Sequence, residues 1–295
     1  MDMQFQEIEH FLKNIDPKEL IDNIASFRKL NFKKMSEQDI FKEILKVLCF
    51  PGKFCYLPNI LKYPKNTKFF RVRKLKSSNI KESGLTVISD FWNPPEKCVN
   101  EYGRLNKPHE SLLYTSPINP LIAINEMKLK KDDYYAVIVY LSQRDIQVNC
   151  IGGNYDYDKL GIRDKNAILV NEIYNNFFID EFSRDVGEGT EYLYKISESI
   201  AKSYFDLPPR VFQDAWLYPS VQNKSMCNVC FRPEIAKESL LLQGAIIAEK
   251  KEDNNDIINV VCITHGFDAN GFACYYPLGT DVQKEIFPEI IRIFP

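Results

Sequence analysis

Apolar residues recur at helical spacing over the first fifty positions and alternate with polar ones over much of the rest. Phe5, Ile8, Leu12 and Ile15 predict a first amphipathic helix. Asp16-Pro17 then supplies an N-cap and an N1 proline, with Glu19 completing a capping box ahead of Leu20, Ile21, Ile24 and Phe27. The same logic predicts a third helix: Ser36 and Asp39 precede Ile40, Phe41, Ile44, Leu45 and Leu48, and Pro51-Gly52 stops it. We read these helices as a layer packed on the main domain, with a partner-binding arm as the alternative.

From about Lys68 the period falls towards two, which predicts strands. FFRVRK, YYAVIVYL (134–141), AWLY (215–218), SLLLQGAIIAE (239–249), INVVCIT (258–264) and FACYYPL (272–278) carry the pattern. Three helices fall among them: one opening at Asn119-Pro120 with Ile124 and Met127; one with Val170, Ile173, Phe177 and Phe178; and one with Leu193, Ile196, Ile200 and Tyr204 behind a Thr190 cap. There is no regular βαβ alternation and no glycine-rich phosphate loop. The expected class is therefore α+β, with a mainly antiparallel, split sheet, flanking helices and the N-terminal helical segment. The expected organisation is 1–66 helical, 67–249 main domain and 250–295 a β-rich extension, with KKEDNNDI (250–257) as a surface hairpin loop.

Composition removes several classes. In 295 residues, 38 basic side chains face 40 acidic ones, so no global positive field gathers nucleic acid or anionic membrane. The start, MDMQFQEIEH, has neither a basic nor an apolar signal region, and no apolar run reaches spanning length, so a cytoplasmic chain is expected. Eight cysteines, Cys55 among them, are too few for a disulfide scaffold, and buried thiols are expected. Cys227-Asn-Val-Cys230 has a metal-like spacing but no second pair, and the histidines are only His10, His109 and His265, so no metal is expected. Serine-triad, zinc-hydrolase and Walker-type signatures are missing.

The candidate chemistry lies in polar residues set within apolar runs. Arg71 and Arg73 alternate with Phe70 and Val72, so both arginines share one strand face. Solvation or acid pairing is one explanation; convergence with Arg104 of Gly103-Arg104-Leu105-Asn106 on an anion is the other. Glu126 follows Leu113-Tyr114-Thr115 on the helix opened by Asn119-Pro120. A salt bridge at the edge of the apolar stripe and a carboxylate awaiting a cation are its two readings. Ser220, in Tyr218-Pro219-Ser220-Val221, is explained either by a turn or by a site, and Asn228 stands between the two cysteines.

Taken in order, Phe70-Arg71-Val72-Arg73, Trp92-Asn93-Pro94-Pro95, Gly103-Arg104-Leu105-Asn106, Leu113-Tyr114-Thr115, Glu126, and Tyr218-Pro219-Ser220-Val221 with Asn228 resemble the RES domain family over residues 68–245. The resemblance implies an ADP-ribosyltransferase-like fold and an enzyme that splits the nicotinamide–ribose bond of NAD+ by hydrolysis or phosphorolysis, as toxins of toxin-antitoxin pairs do. It implies Glu126, Arg71, Tyr114 and Ser220 as catalytic residues. Arg104, Asn106, Asn228 and Arg73 follow as substrate-binding residues, with Arg73 the alternative to Arg71 as first arginine. It implies NAD+ as substrate with no cofactor, inorganic phosphate as a co-substrate, and an antitoxin protein and a second copy of the chain as partners. Transfer of ADP-ribose to a protein, and a non-enzymatic interaction module, are the competing readings.

Overall fold

The computed structural model describes residues 2–50, 52–53, 57–77, 82–206, 212–221, 226–251 and 258–290. Pro51, Cys55, part of the polar run after Lys74, and residues 252–257 of the expected hairpin loop lie outside them. Among the described residues the helices are α1 (Asp2–Leu12), α2 (Pro17–Arg28), α3 (Glu37–Leu48), α4 (Pro120–Glu126), α5 (Tyr157–Leu160), α6 (Lys165–Ser183), α7 (Tyr194–Ile200), α8 (Pro233–Ser239) and α9 (Asp281–Ile286). The strands are β1 (Ile60–Tyr63), β2 (Lys68–Lys74), β3 (Leu113–Pro117), β4 (Tyr134–Ser142), β5 (Ile146–Cys150), β6 (Ala215–Pro219), β7 (Cys227–Phe231), β8 (Leu240–Glu249), β9 (Asn259–Phe267) and β10 (Ala273–Pro277). The fold is mixed α and β with mostly antiparallel pairing. No helix of the described residues is long and apolar enough to cross a membrane.

Two compact units alternate along the chain. The first comprises Met1–Leu61, Glu96–Glu110 and Gln147–Val221, and the second Lys62–Pro95, Ser111–Ile146 and Gln222–Pro295.

The first unit is built around α6. Asp164 caps it, its carboxylate accepting from Asn166 N at 2.9 Å and Ala167 N at 3.0 Å. Its buried Phe177, Phe178 and Phe182 meet Phe27 of α2 and Phe205, with ring centroids 4.9 to 6.1 Å apart. The N-terminal helices begin where their caps predict: Asp16 accepts from Lys18 N, and Ser36 from Asp39 N. Their buried Leu20, Ile24, Ile40 and Ile44 make them a packed layer, with α1 and α2 on α6 and α3 on α7. Strands β5 and β6 pair in parallel, joined through α5, α6 and α7, and every residue of β6 is buried. The alternation of sequence did not announce this crossover, because β5 carries Asn149 into the interior. The Asn149 amide donates to Phe205 O at 3.0 Å and Gln213 Oε1 at 2.7 Å, which meets the cost of burying it. Thr190 does not cap the helix after it: its hydroxyl donates to Gly187 O, and α7 opens through a 3₁₀ turn and closes in a π-helical turn at Ala201–Phe205.

The second unit is an antiparallel sheet in the order β7-β3-β2-β4-β8-β9-β10. One face buries Phe70, Val72, Tyr135, Val137, Val139, Ile246, Ala248 and Ile263 under Ile124 of α4 and Phe287 beyond α9. The C-terminal strands thus extend the same core. At Gly244, φ is +147° and an added Cβ would sit 2.2 Å from the Thr264 carbonyl oxygen, so backbone blocks it from both causes. Gly244→Ala is expected to destabilise the fold by about 2–4 kcal/mol, read as a shift in the urea midpoint. An unchanged midpoint would show that β8 and β9 separate there at little cost.

Candidate functional site

Strand register decides which candidate side chains share a face. Phe70 pairs with Ser116 and Tyr114 with Cys230, so Phe70, Ser116, Tyr114, Cys230 and Asn228 point to one side of the sheet. Helix α4 packs on that side, since Ile124 meets Phe70 and Val72. Asn119 Oδ1 caps α4 by accepting from Leu121 N at 2.9 Å, and Pro120 fills the first turn. Glu126 ends the helix, and its Oε1 accepts a hydrogen bond from Asn228 Nδ2 at 2.7 Å. Glu126 and Tyr114 are half-buried, while Asn228 is buried. An amide therefore holds a reachable carboxylate over the sheet face that carries Tyr114.

The structure does not bring Arg71 and Arg73 to Glu126. They do share a face opposite Phe70 and Val72, as the alternation predicts, but α4 lies on the Phe70 side. Arg71 Nη1 donates to Trp92 O at 2.7 Å and Arg73 Nη1 to Asp90 O at 2.9 Å. Burial lowers the Arg71 pKa from its ordinary value, and burial pushes its neighbour Tyr140 up to about 12. Each guanidinium thus gives one donor to a backbone carbonyl, on the sheet face away from α4.

Arg104, Asn106 and Ser220 belong to the first unit, and all are buried. Arg104 Nη1 donates to Phe182 O at 2.6 Å and Nη2 to Arg184 O at 2.9 Å, with the Tyr194 ring 5.3 Å from its Cζ. A guanidinium on the last carbonyls of α6 satisfies groups that no intrahelical N–H reaches and opposes the helix dipole. This structural role stands beside the substrate-binding role that the family resemblance implies. Arg104→Lys keeps the charge but loses the two-pronged geometry, and is expected to lower stability by about 1–3 kcal/mol by denaturant titration. A variant as stable as the parent would refute the capping role. Asn106 Nδ2 donates to Lys107 O at 3.0 Å, and Ser220 lies one residue beyond β6.

Sequence reasoning passed over Glu198, on α7 of the first unit. It is 3% exposed, and its Oε1 is buried without a hydrogen-bond partner among the described residues. Burial pushes its carboxyl up to about 7, against the opposing pull of Lys107 and Lys202. Those lysines are already engaged, Lys107 with Glu37 at 3.1 Å and Lys202 with Glu110. The signal was present only as an acid in a short helix, flanked by Ser197 and Ser199 and set between Ile196 and Ile200. Glu181 resembles it in burial but is met by Arg184 Nη2 at 2.6 and 2.7 Å.

Cys227 and Cys230 lie three apart on β7, and that spacing on a strand sends them to opposite faces, so they do not form a shared chelate. No group of metal-ligating side chains occurs among the described residues. Comparison of the chain with protein-family models, with curated proteins and with solved structures finds no match.

Proposed function

We propose that this protein is a RES-type enzyme, of ADP-ribosyltransferase-like fold, that cleaves the nicotinamide–ribose bond of NAD+ in the cytoplasm. The observation that carries the reading is the grouping of Tyr114, Glu126 and Asn228 on one sheet face, with Glu126 held by the Asn228 amide at 2.7 Å. The largely antiparallel sheet of the second unit also fits the fold that the resemblance implies.

The chemistry suits these residue types. As the C–N bond breaks, its electron pair leaves with nicotinamide, which departs neutral, and positive charge builds on the ribose. A carboxylate beside the ribose stabilises that charge most where it is greatest, so Glu126 binds the transition state better than the ground state. Asn228 fixes the carboxylate before the reaction, and Tyr114 offers a ring and a hydroxyl to the ribose. Water or inorganic phosphate then captures the ribosyl carbon, losing a proton as the new C–O bond forms.

Induced expression in a bacterial host tests the reading. Intracellular NAD+ is expected to fall and growth to stop, with Glu126→Gln expressed to the same level doing neither. Undiminished NAD+ at full expression of the parent chain would contradict it.

A further inference from the structure

Three side chains from the sheet face opposite α4 end on one short stretch of backbone. Arg73 holds Asp90 O, Tyr140 donates to Phe91 O, and Arg71 holds Trp92 O, so three successive carbonyls are clamped. The Asp90 carboxylate in turn accepts from the amides of Thr86 at 2.8 Å and Val87 at 2.9 Å. The turn Ile88–Phe91 is therefore fixed at both ends. Phe91 is buried against Phe267, ring centroids 5.5 Å apart, and half-buried Trp92 rests on Tyr140 at 5.2 Å.

This clamped turn forms one wall of a cavity of about 390 Å³, whose other wall is the β8–β9 hairpin. That volume suits a small ligand, and a preformed wall reduces the ordering that binding would require. The lining is aromatic and aliphatic apart from a few polar groups, chiefly Lys237, Gln143 and His265. His265 Nδ1 lies 2.7 Å from Gln243 O; a carbonyl only accepts, so Nδ1 carries the hydrogen, and in the neutral ring Nε2 accepts. Lys237 is exposed and has no ion-pair partner among the described residues.

We propose that this cavity binds a planar aromatic acid, with its ring against Trp92 and Phe267, its carboxylate on the Lys237 ammonium and a ring hydroxyl donating to His265 Nε2. An alkyl ligand would fill the same volume and leave both polar anchors unused. Arg71 and Arg73 act here as supports for the wall and do not touch the ligand.

The probe is 4-hydroxybenzoate, titrated into the full chain and followed by tryptophan fluorescence and by saturation-transfer NMR. Saturable binding is expected, weakened about tenfold in Lys237→Ala and equally with 4-hydroxybenzamide, which keeps the shape and loses the charge. Trp92→Phe should abolish the fluorescence change while the NMR signal persists. Absence of saturable binding at millimolar probe would overturn the proposal. So would equal affinity for the acid, the amide and the Lys237→Ala variant, since Lys237 is exposed and its loss leaves the fold intact.

Discussion

Replacing Glu126 by glutamine is expected to lower the rate of nicotinamide release from NAD+ by about 10²–10³-fold, the range lost when one preorganised electrostatic group is removed from a transition state. Glutamine retains an oxygen that accepts from Asn228, so the side chain stays in place and only the charge is lost. Its melting temperature should therefore match the parent's. Asn228→Ala is the complement: the charge remains while its orientation is freed, so kcat should fall by less than in Glu126→Gln. Steady-state kinetics on both, beside thermal denaturation, check the argument. A Glu126→Gln enzyme at full rate would remove the carboxylate from the chemistry.

Stability should fall as pH rises from about 4.5 to 7, through Glu198. The unfolded carboxyl ionises near its ordinary value of 4.5, whereas the folded one holds its proton to about 7. Between those values the folded state binds more protons than the unfolded state, so the slope of stability with pH is negative. Below that window both states are protonated, and above it both are ionised. The shift corresponds to about 3 kcal/mol lost across the window. Glu198→Gln should gain about that much at neutral pH and lose this component of the slope. The comparison of variant with parent matters, because exposed pairs such as Asp145 with Lys62 hold carboxylates below their usual range and tilt the parent's curve the other way. Coincident stability profiles for parent and variant between pH 4.5 and 7.5 would show that Glu198 ionises normally.

Elements specified by local chemistry were legible in the sequence. Asp16, Ser36 and Asn119 each begin a helix, and each accepts the backbone N–H that its cap implies. Alternation placed β2, β4, β8, β9 and β10, and set Arg71 and Arg73 opposite Phe70 and Val72. What depends on distant partners was not legible. β5 and β7 are short and carry buried Asn149 and Asn228, whose hydrogen bonds reach residues 56 and 102 positions away. Without those partners in view, neither segment stood out as a strand. The destination of an arginine is equally non-local: alternation gives its face, but whether carbonyls or an anion receive it depends on the turn at Ile88–Phe91 folding back onto the strand. Glu198 shows the same limit, since an acid in a seven-residue helix betrays neither its burial nor the four charged neighbours around it.

Cleavage of the nicotinamide–ribose bond is the event on which the proposed function rests. The most direct measurement is incubation of the purified full chain with NAD+, with and without inorganic phosphate, separating nicotinamide from the ribosyl product by liquid chromatography and mass spectrometry. Nicotinamide should appear, with ADP-ribose as co-product if water is the acceptor or ADP-ribose-1″-phosphate if phosphate is, and Glu126→Gln should suppress either. NAD+ recovered intact under both conditions, from protein whose fold is verified by circular dichroism, would contradict it.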